Sequence, residues 1–442
     1  MFQVLSSSWA LLLGMMFLMV GNGLQGTLLG VRGGIEGFST FEMSIVMSAY
    51  FAGFLGGSKI APDLIQRVGH VRVFAALGSF ISVILILYPL LAHPIAWTFG
   101  RVAIGFCFSG VYVTAESWLN HSADNNNRGK ALSIYMIVQM IGIVSAQALL
   151  ALGDASGYVL FIIASVLVSI SFAPILLSVS PTPAFETAKP MKLKTLIETS
   201  PLGCFGMFIL GGVFSAQFGM SSVYGTSAGL TVTQISLFVS SIYVGALLMQ
   251  FPIGWFSDRV DRRIVILIVA ALGAAAALVA LLNDQYFGII LSAGFIMGGT
   301  SNPLYSLLIA YTNDYLEADD MAAASGGLVF IGGVGAIAGP LIIGWMMDRF
   351  GAEAFFVVIS VLMGGLAIYA GFRMTQRSRE GVDDTAYTPV MPSSSPVAIE
   401  VASEFDIDTA LDDIPDNKRI RFLFALFVWI DTHNTKAALS RQ

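Results

Sequence analysis

Apolar residues in this chain come in long unbroken runs, without the alternation of a half-buried strand or the one-sided stripe of a surface helix. Runs near the ~20 residues that cross ~30 Å of hydrocarbon fall at roughly 8–30, 41–62, 73–92, 95–118, 130–152 and 157–179. Six more follow at roughly 201–224, 234–256, 263–283, 287–312, 322–347 and 353–374. Between the two sets, Pro181, Pro183 and Pro190 stand among Lys189, Lys192 and Lys194, a composition that ends one bundle and begins another. The pattern predicts an all-α membrane protein with twelve transmembrane helices in two pseudo-symmetric six-helix bundles. The expected divisions are an N-terminal bundle (1–180), a cytoplasmic linker (181–200), a C-terminal bundle (201–375) and a largely disordered tail (376–442).

The second bundle repeats the first. One constant shift places Ser44 over Ser236, Gly53 over Gly245, Arg67 over Arg259 and Val73 over Val265. Farther along, a slightly longer shift, as a short insertion produces, places Ala115 over Ala310, Phe161 over Phe356 and Ser165-Val166-Leu167 over Ser360-Val361-Leu362. Equal span order in both halves implies an axis along the membrane normal. Composition agrees: the chain is 56% hydrophobic and 11% charged, against about 25% charged in soluble domains. Its net charge of −6 owes most to the tail, so nothing points to a nucleic-acid partner. Cys107 and Cys204 sit inside apolar runs, as packing residues do, and no metal or cofactor is expected. The first run lacks a basic leader and reads as a retained span.

Basic residues fix the expected orientation. With the N-terminus inside, Lys59, Arg67, Arg72, Arg128, Lys130, Lys189, Lys192, Lys194, Arg259, Arg262, Arg263, Arg373, Arg377 and Arg379 fall on the cytoplasmic side, against Arg32 and Arg349 opposite. The positive-inside rule therefore places both termini in the cytoplasm of an inner (plasma) membrane.

The segment Gly254-Trp-Phe-Ser-Asp258-Arg259-Val-Asp261-Arg262-Arg263 follows the eighth span. It resembles the loop motif of the major facilitator superfamily, and the twelve spans and duplication fit that family over nearly the whole membrane region. The stretch Gly105 to Asn120, then Arg128-Gly-Lys-Ala-Leu-Ser-Ile-Tyr, Asn313-Asp314 and the run from Ala322 to Pro340 resemble its YcaD-like branch. The resemblance implies secondary transport by alternating access, with the loop aspartate and arginines tying helix ends in the outward-open state and releasing them on the switch. The first-half loop departs from the motif: Pro62 replaces the glycine and Gln66 the aspartate, while Arg67 and Gly69 remain. Asp63 could take over the acidic role by meeting Arg67 at i, i+4. The alternative is that these arginines only anchor helix ends.

A conformational-switch set is expected at Arg67, Gly69, Glu116, Gly254, Asp258, Arg259, Arg262 and Asp314. Glu116 would pair with Arg67 or Arg128, and Asp314 with Arg259 or Arg262; helix-end ion pairing without a transport role is the competing reading. A cavity set is expected at Asn22, Gln25, Arg101, Tyr112, Gln217, Asn302 and Tyr305, on the first and fourth helices of each bundle, which line the cavity in the family the chain resembles. Arg101, about one turn below Trp97, either holds an anionic group of the cargo or snorkels toward the outer headgroups. Glycines at 326, 327, 332, 333, 335 and 339 with Pro340 allow close approach on the eleventh span.

Beyond Gln376, acids among Pro389, Pro392 and Pro396 predict disorder without a transport role, and Arg419 to Ile430 is apolar enough for an interfacial helix. No phosphate loop G-x-x-x-x-G-K-[ST] occurs, so energy comes from a solute gradient or a coupled proton or other ion. The reading is a non-enzymatic, monomeric secondary transporter of a small organic solute in a lipid bilayer. Arg101 tilts it toward an anionic cargo. A proton-coupled drug or metabolite efflux antiporter, and a non-transporting receptor signalling through the tail, stand as alternatives.

Overall fold

The computed structural model describes residues 2–122, 128–177, 191–316, 318–376, 387–400 and 402, and among these no strand occurs. The first half comprises α1 (Phe2–Ile35), α2 (Thr40–Val68), α3 (His70–Leu90), α4 (Pro94–Ser122), α5 (Arg128–Leu152) and α6 (Val159–Ile170), the last continued by α7 (Phe172–Leu177). A short helix, α8 (Leu193–Thr199), precedes the second half. There α9 (Pro201–Ser215), a π-helical turn (Ala216–Met220) and α10 (Ser221–Ser227) form one crossing. α11 (Val232–Ser257), α12 (Arg262–Leu282), α13 (Phe287–Asn313), α14 (Ala318–Phe350) and α15 (Ala354–Gln376) complete it.

Counting each broken helix once, these are the twelve expected crossings. Ten are long and apolar enough to span a bilayer on composition alone. The other two are less apolar: α2 carries the exposed charges Glu42, Lys59, Asp63 and Arg67 near its ends besides buried Ser44 and Ser48, and α13 carries Thr300, Ser301, Asn302 and Ser306, all buried. Large apolar side chains instead stand outward: Phe99, Leu152 and Ile368 are exposed, a surface suited to hydrocarbon.

The duplication reaches down to individual hydrogen bonds. α2 begins with a capping box in which Ser39 Oγ accepts from the Glu42 N–H (3.2 Å) and Glu42 Oε2 accepts from the Ser39 N–H (2.8 Å). α11 begins likewise, with Thr231 and Gln234 exchanging bonds of 3.3 and 2.9 Å. Each box satisfies N–H groups that a helix start leaves orphaned. The helix crossings match too. In the first half Gly53 faces the carbonyl of Val102 and Gly105 that of Tyr50, closing α2 on α4; in the second, Gly245 faces Phe295 and Gly298 faces Ile242, closing α11 on α13. A Cβ at any of the four would strike backbone, so these crossings require glycine.

Because the described crossings are even in number, the start of α1 and the end of α15 lie on one side, here called the terminal side. On the opposite, distal side the halves are closed over each other. Gly30 and Gly34 of α1 pack on Ser222 and Thr226 of α10. Ser48 Oγ donates to the Ile337 carbonyl (2.6 Å), and Gly344 packs on Ser44.

Two segments outside the bundles are packed against them. Part of the linker is ordered: Leu196 of α8 is buried, and the Met191 N–H donates to the Ala323 carbonyl (2.9 Å). The tail is also not free throughout. Residues 387–400 are folded against both halves, with Val390, Met391, Ser395, Ala398 and Ile399 buried. Their apolar side chains, flanked by acids, give this stretch something to bury that the tail's average composition hides. The run from Arg419 to Ile430 lies outside the described residues.

Candidate functional site

At the centre, between the halves, lies a cavity lined from both. The first half supplies Asn22 of α1, Tyr50, Phe51 and Phe54 of α2, and Tyr112 of α4. The second supplies Phe214, Phe218 of the π turn, Tyr243 and Tyr305, with Gly332 and Gly333 of α14 leaving room beside them. The walls are aromatic and interlocked: Tyr50 lies 5.5 Å from Phe218, and Phe214 stacks on Phe218 at 5.8 Å. Such surfaces bury a ring or aliphatic body, while Asn22 and the tyrosines supply orienting polar groups. The free space is about 50 Å³, room for a few waters. Met391, Pro392 and Ser393 of the tail also line it.

Of the expected cavity residues, Asn22, Tyr112 and Tyr305 reach the wall. Gln25 and Arg101 stand directly behind it. Arg101 Nη1 donates to Gln25 Oε1 (2.9 Å), and Gln25 Nε2 donates to Asn22 Oδ1 (3.1 Å), a relay that ends at the cavity. The guanidinium lies 4.8 Å from the Tyr50 ring centroid, with Nη2 on the Met47 sulfur at 3.2 Å. Arg101 is 0% exposed, so it does not snorkel to the headgroups. Among the described residues no carboxylate pairs with it, and Nε has no partner. Gln217 and Asn302 are buried one layer out, Gln217 accepting from Ser301 Oγ at 2.8 Å.

The expected switch residues divide by half. Arg262 Nη1 pairs with Asp314 Oδ1 at 2.5 Å, and its Nε donates to Ser257 Oγ at 3.2 Å. Arg259 instead folds back on its own helix, 4.0 Å from the Trp255 ring and 2.9 Å from the Trp255 carbonyl. Asp258 Oδ1 accepts from the Tyr387 N–H of the tail (3.0 Å), and Gly254 lies under the Tyr387 ring. In the first half, Gly69 holds φ at 88° and joins α2 to α3. Arg67 is exposed and has no partner among the described residues, so neither Asp63 nor Glu116 meets it. Glu116 is buried (1% exposed), and its Oε2 accepts from the Ser395 N–H at 2.9 Å. An exposed arginine on the rim of α2 cannot reach a carboxylate turned inward from α4.

Sequence reasoning missed the aromatic wall and the tail contacts. Tyr50, Phe51 and Phe54, and Phe214 with Phe218, recur at the helical spacing that puts them on one face, which was the available signal. Nothing comparable announced the tail.

Comparison with known proteins reproduces the duplication. The family model described as Major Facilitator Superfamily matches twice, over residues 11–216 and 203–430. An uncharacterized MFS-type transporter of Yersinia pestis is 26% identical over 328 residues, covering 73% of this chain and 84% of that protein. The YcaD transporter of Escherichia coli O45:K1 is 24% identical over 355 residues, covering 79% and 91%. Among solved structures, a variant of the nucleoside transporter NupG superposes with a TM-score of 0.73 at 14% identity, covering 83% of this chain and 100% of that one. A bacterial homolog of the human lysosomal transporter Spinster, in an inward-facing and unoccupied conformation, gives 0.65 at 13% identity, covering 92% and 98%. Two matches that between them span both halves, with relatives of YcaD type over most of the length, place this chain in the major facilitator superfamily.

Proposed function

We propose that this secondary transporter carries a small organic solute with a ring or apolar body and an anionic substituent, by alternating access between the two halves. The cavity wall carries the first part of this reading: aromatic faces from both halves surround one amide and four tyrosines, Tyr50, Tyr112, Tyr243 and Tyr305. The relay from Arg101 supports the second. A buried guanidinium without a carboxylate costs desolvation energy, and an anion held at Asn22 or Tyr50 would return part of it. With the distal side closed, the bundles can part only toward the terminal side, and rocking that opens the distal contacts would expose the cavity on the other face. Nucleoside and fucose carriers among the structural neighbours show the same fold serving small solutes. The terminal side is the cytoplasmic one, given Lys59, Arg67, Arg72 and Arg259 along it. A C-terminal alkaline phosphatase fusion that proves active would reverse that orientation.

The test is uptake into proteoliposomes from a panel of aromatic carboxylates and their neutral amides. Transport should favour the carboxylate, and Arg101→Gln should erase that preference by about tenfold, the equivalent of ~1.4 kcal/mol. Unchanged discrimination in Arg101→Gln would remove the anionic part of the proposal. Transport of neither class by the parent chain would remove both.

A further inference from the structure

The tail segment occupies the place where a solute from the terminal side would enter. Its course can be followed bond by bond. Tyr387 is held at the end of α11 by Asp258, and Val390 is clasped by Ser306 of α13, its N–H donating to Oγ at 2.9 Å while its carbonyl accepts from the same hydroxyl at 3.1 Å. Met391 then reaches Met136 and Met140 of α5 and Ala246 of α11. The chain reverses through a turn closed by the Ser394 N–H on the Met391 carbonyl (2.9 Å). It leaves past α4, where the Ser395 N–H meets Glu116 and Ser395 Oγ accepts from the Val397 N–H at 3.2 Å. The tip of this re-entrant loop is Met391-Pro392-Ser393, at the wall shared with Asn22, Tyr112 and Tyr305.

Its chemistry suits that position. From Tyr387 to Ile399 there is no charged residue, whereas Asp383, Asp384 and Glu400 flank the stretch, so an uncharged peptide is what enters the desolvated space. Pro389, Pro392 and Pro396 restrict the free segment and reduce the entropy lost on docking. With the loop in place, the free space of about 50 Å³ is well under the ~300–1,000 Å³ typical of organic-ligand sites. The loop also joins the halves where they would otherwise part: Glu116 and Met136 belong to one, Ser306 and Asp258 to the other.

We propose that the cavity is a peptide-binding site whose ligand is residues 387–400 of this chain, a tethered plug that excludes solute from the terminal side and holds the halves in the present state until it withdraws. The exclusion of solute rests on the transporter reading; the docking itself does not.

The test uses the full chain with Cys107→Ser and Cys204→Ser. A Ser306→Cys, Val390→Cys pair should form an intrachain disulfide on mild oxidation, in high yield and independent of protein concentration. In a separate chain carrying Tyr305→Cys, reaction with a maleimide should be slow, and Val390→Asp with Met391→Asp should accelerate it at least about tenfold by driving the loop into water. Because these substitutions lie outside the bundles, size-exclusion behaviour should not change. No cross-link, or equal maleimide rates, would overturn the plug. Cross-linked chains should move no solute and regain transport on reduction; undiminished transport while cross-linked would overturn the exclusion. Accelerated labelling in chains that never transport would leave the plug standing and remove the transporter reading.

Discussion

Removing the carboxylate of Asp314 should be among the most damaging single changes outside the cavity. Arg262 and Asp314 form an ion pair in which the side chains are only 2% and 4% exposed, so water does little to screen it. Replacing one partner leaves a buried charge with its main counter-ion gone, a loss of about 3–5 kcal/mol for such pairs. Ser257 Oγ remains on Arg262 Nε, which moderates Asp314→Ala to about 3 kcal/mol. Exchanging both partners for apolar groups of similar volume, Arg262→Met with Asp314→Leu, removes the desolvation cost along with the attraction and should fall within ~1 kcal/mol of the parent. Equilibrium unfolding in mixed detergent micelles, run as a double-mutant cycle, reads these differences. Both residues belong to the second half, so the pair does not bridge the moving interface; surviving folded protein should transport at the parent rate. An Asp314→Ala loss under ~1 kcal/mol, or additive costs in the double variant, would refute the argument. So would an intact fold with altered transport, which would return the pair to the switch.

Other outcomes follow from the packing. Gly53→Val and Gly245→Val each drive a side chain into a backbone carbonyl across a helix crossing, so both should cut the yield of monodisperse protein, by more than the ~1–3 kcal/mol of ordinary overpacking; normal size-exclusion profiles would contradict this. Ser39→Ala and Thr231→Ala remove matching capping boxes and should each cost about 1 kcal/mol, read as similar falls in melting temperature. Gly69→Ala forces a non-glycine residue to φ near 88° and should cost about 1–3 kcal/mol, with no change in maleimide access to the cavity.

Most of the fold was legible because lipid imposes one demand on every crossing helix, and the apolar runs record it. They record only the part in contact with hydrocarbon. The first run ends near residue 30, whereas α1 continues to Ile35, where Arg32 pairs with Glu36 and donates to the carbonyls of Ala155 and Gly157. The π turn at Ala216–Met220 left no trace in hydropathy, since it alters hydrogen-bond spacing and not composition. At the cavity, polar residues on the expected helices were visible, but their depth was not. Asn22 and Gln25 differ by three positions on one helix, yet one lines the wall and the other spends its amide on Arg101 and Asn22. Glu116 was legible as a buried acid in need of a partner. Its partner is a backbone N–H hundreds of positions away, a pairing that residue types do not encode.

The tail loop also carries a consequence for mass action. Only a short stretch separates Gln376, where α15 ends, from Tyr387, where the loop begins to dock. A ligand on so short a leash presents itself at an effective concentration in the millimolar range. A solute present at micromolar levels would have to bind about a thousandfold more tightly than the loop to share the cavity equally. The same arithmetic makes the leash a sensitive control point: a cut between Gln376 and Tyr387 would dilute the competitor to the concentration of the protein itself without altering any contact within the bundles.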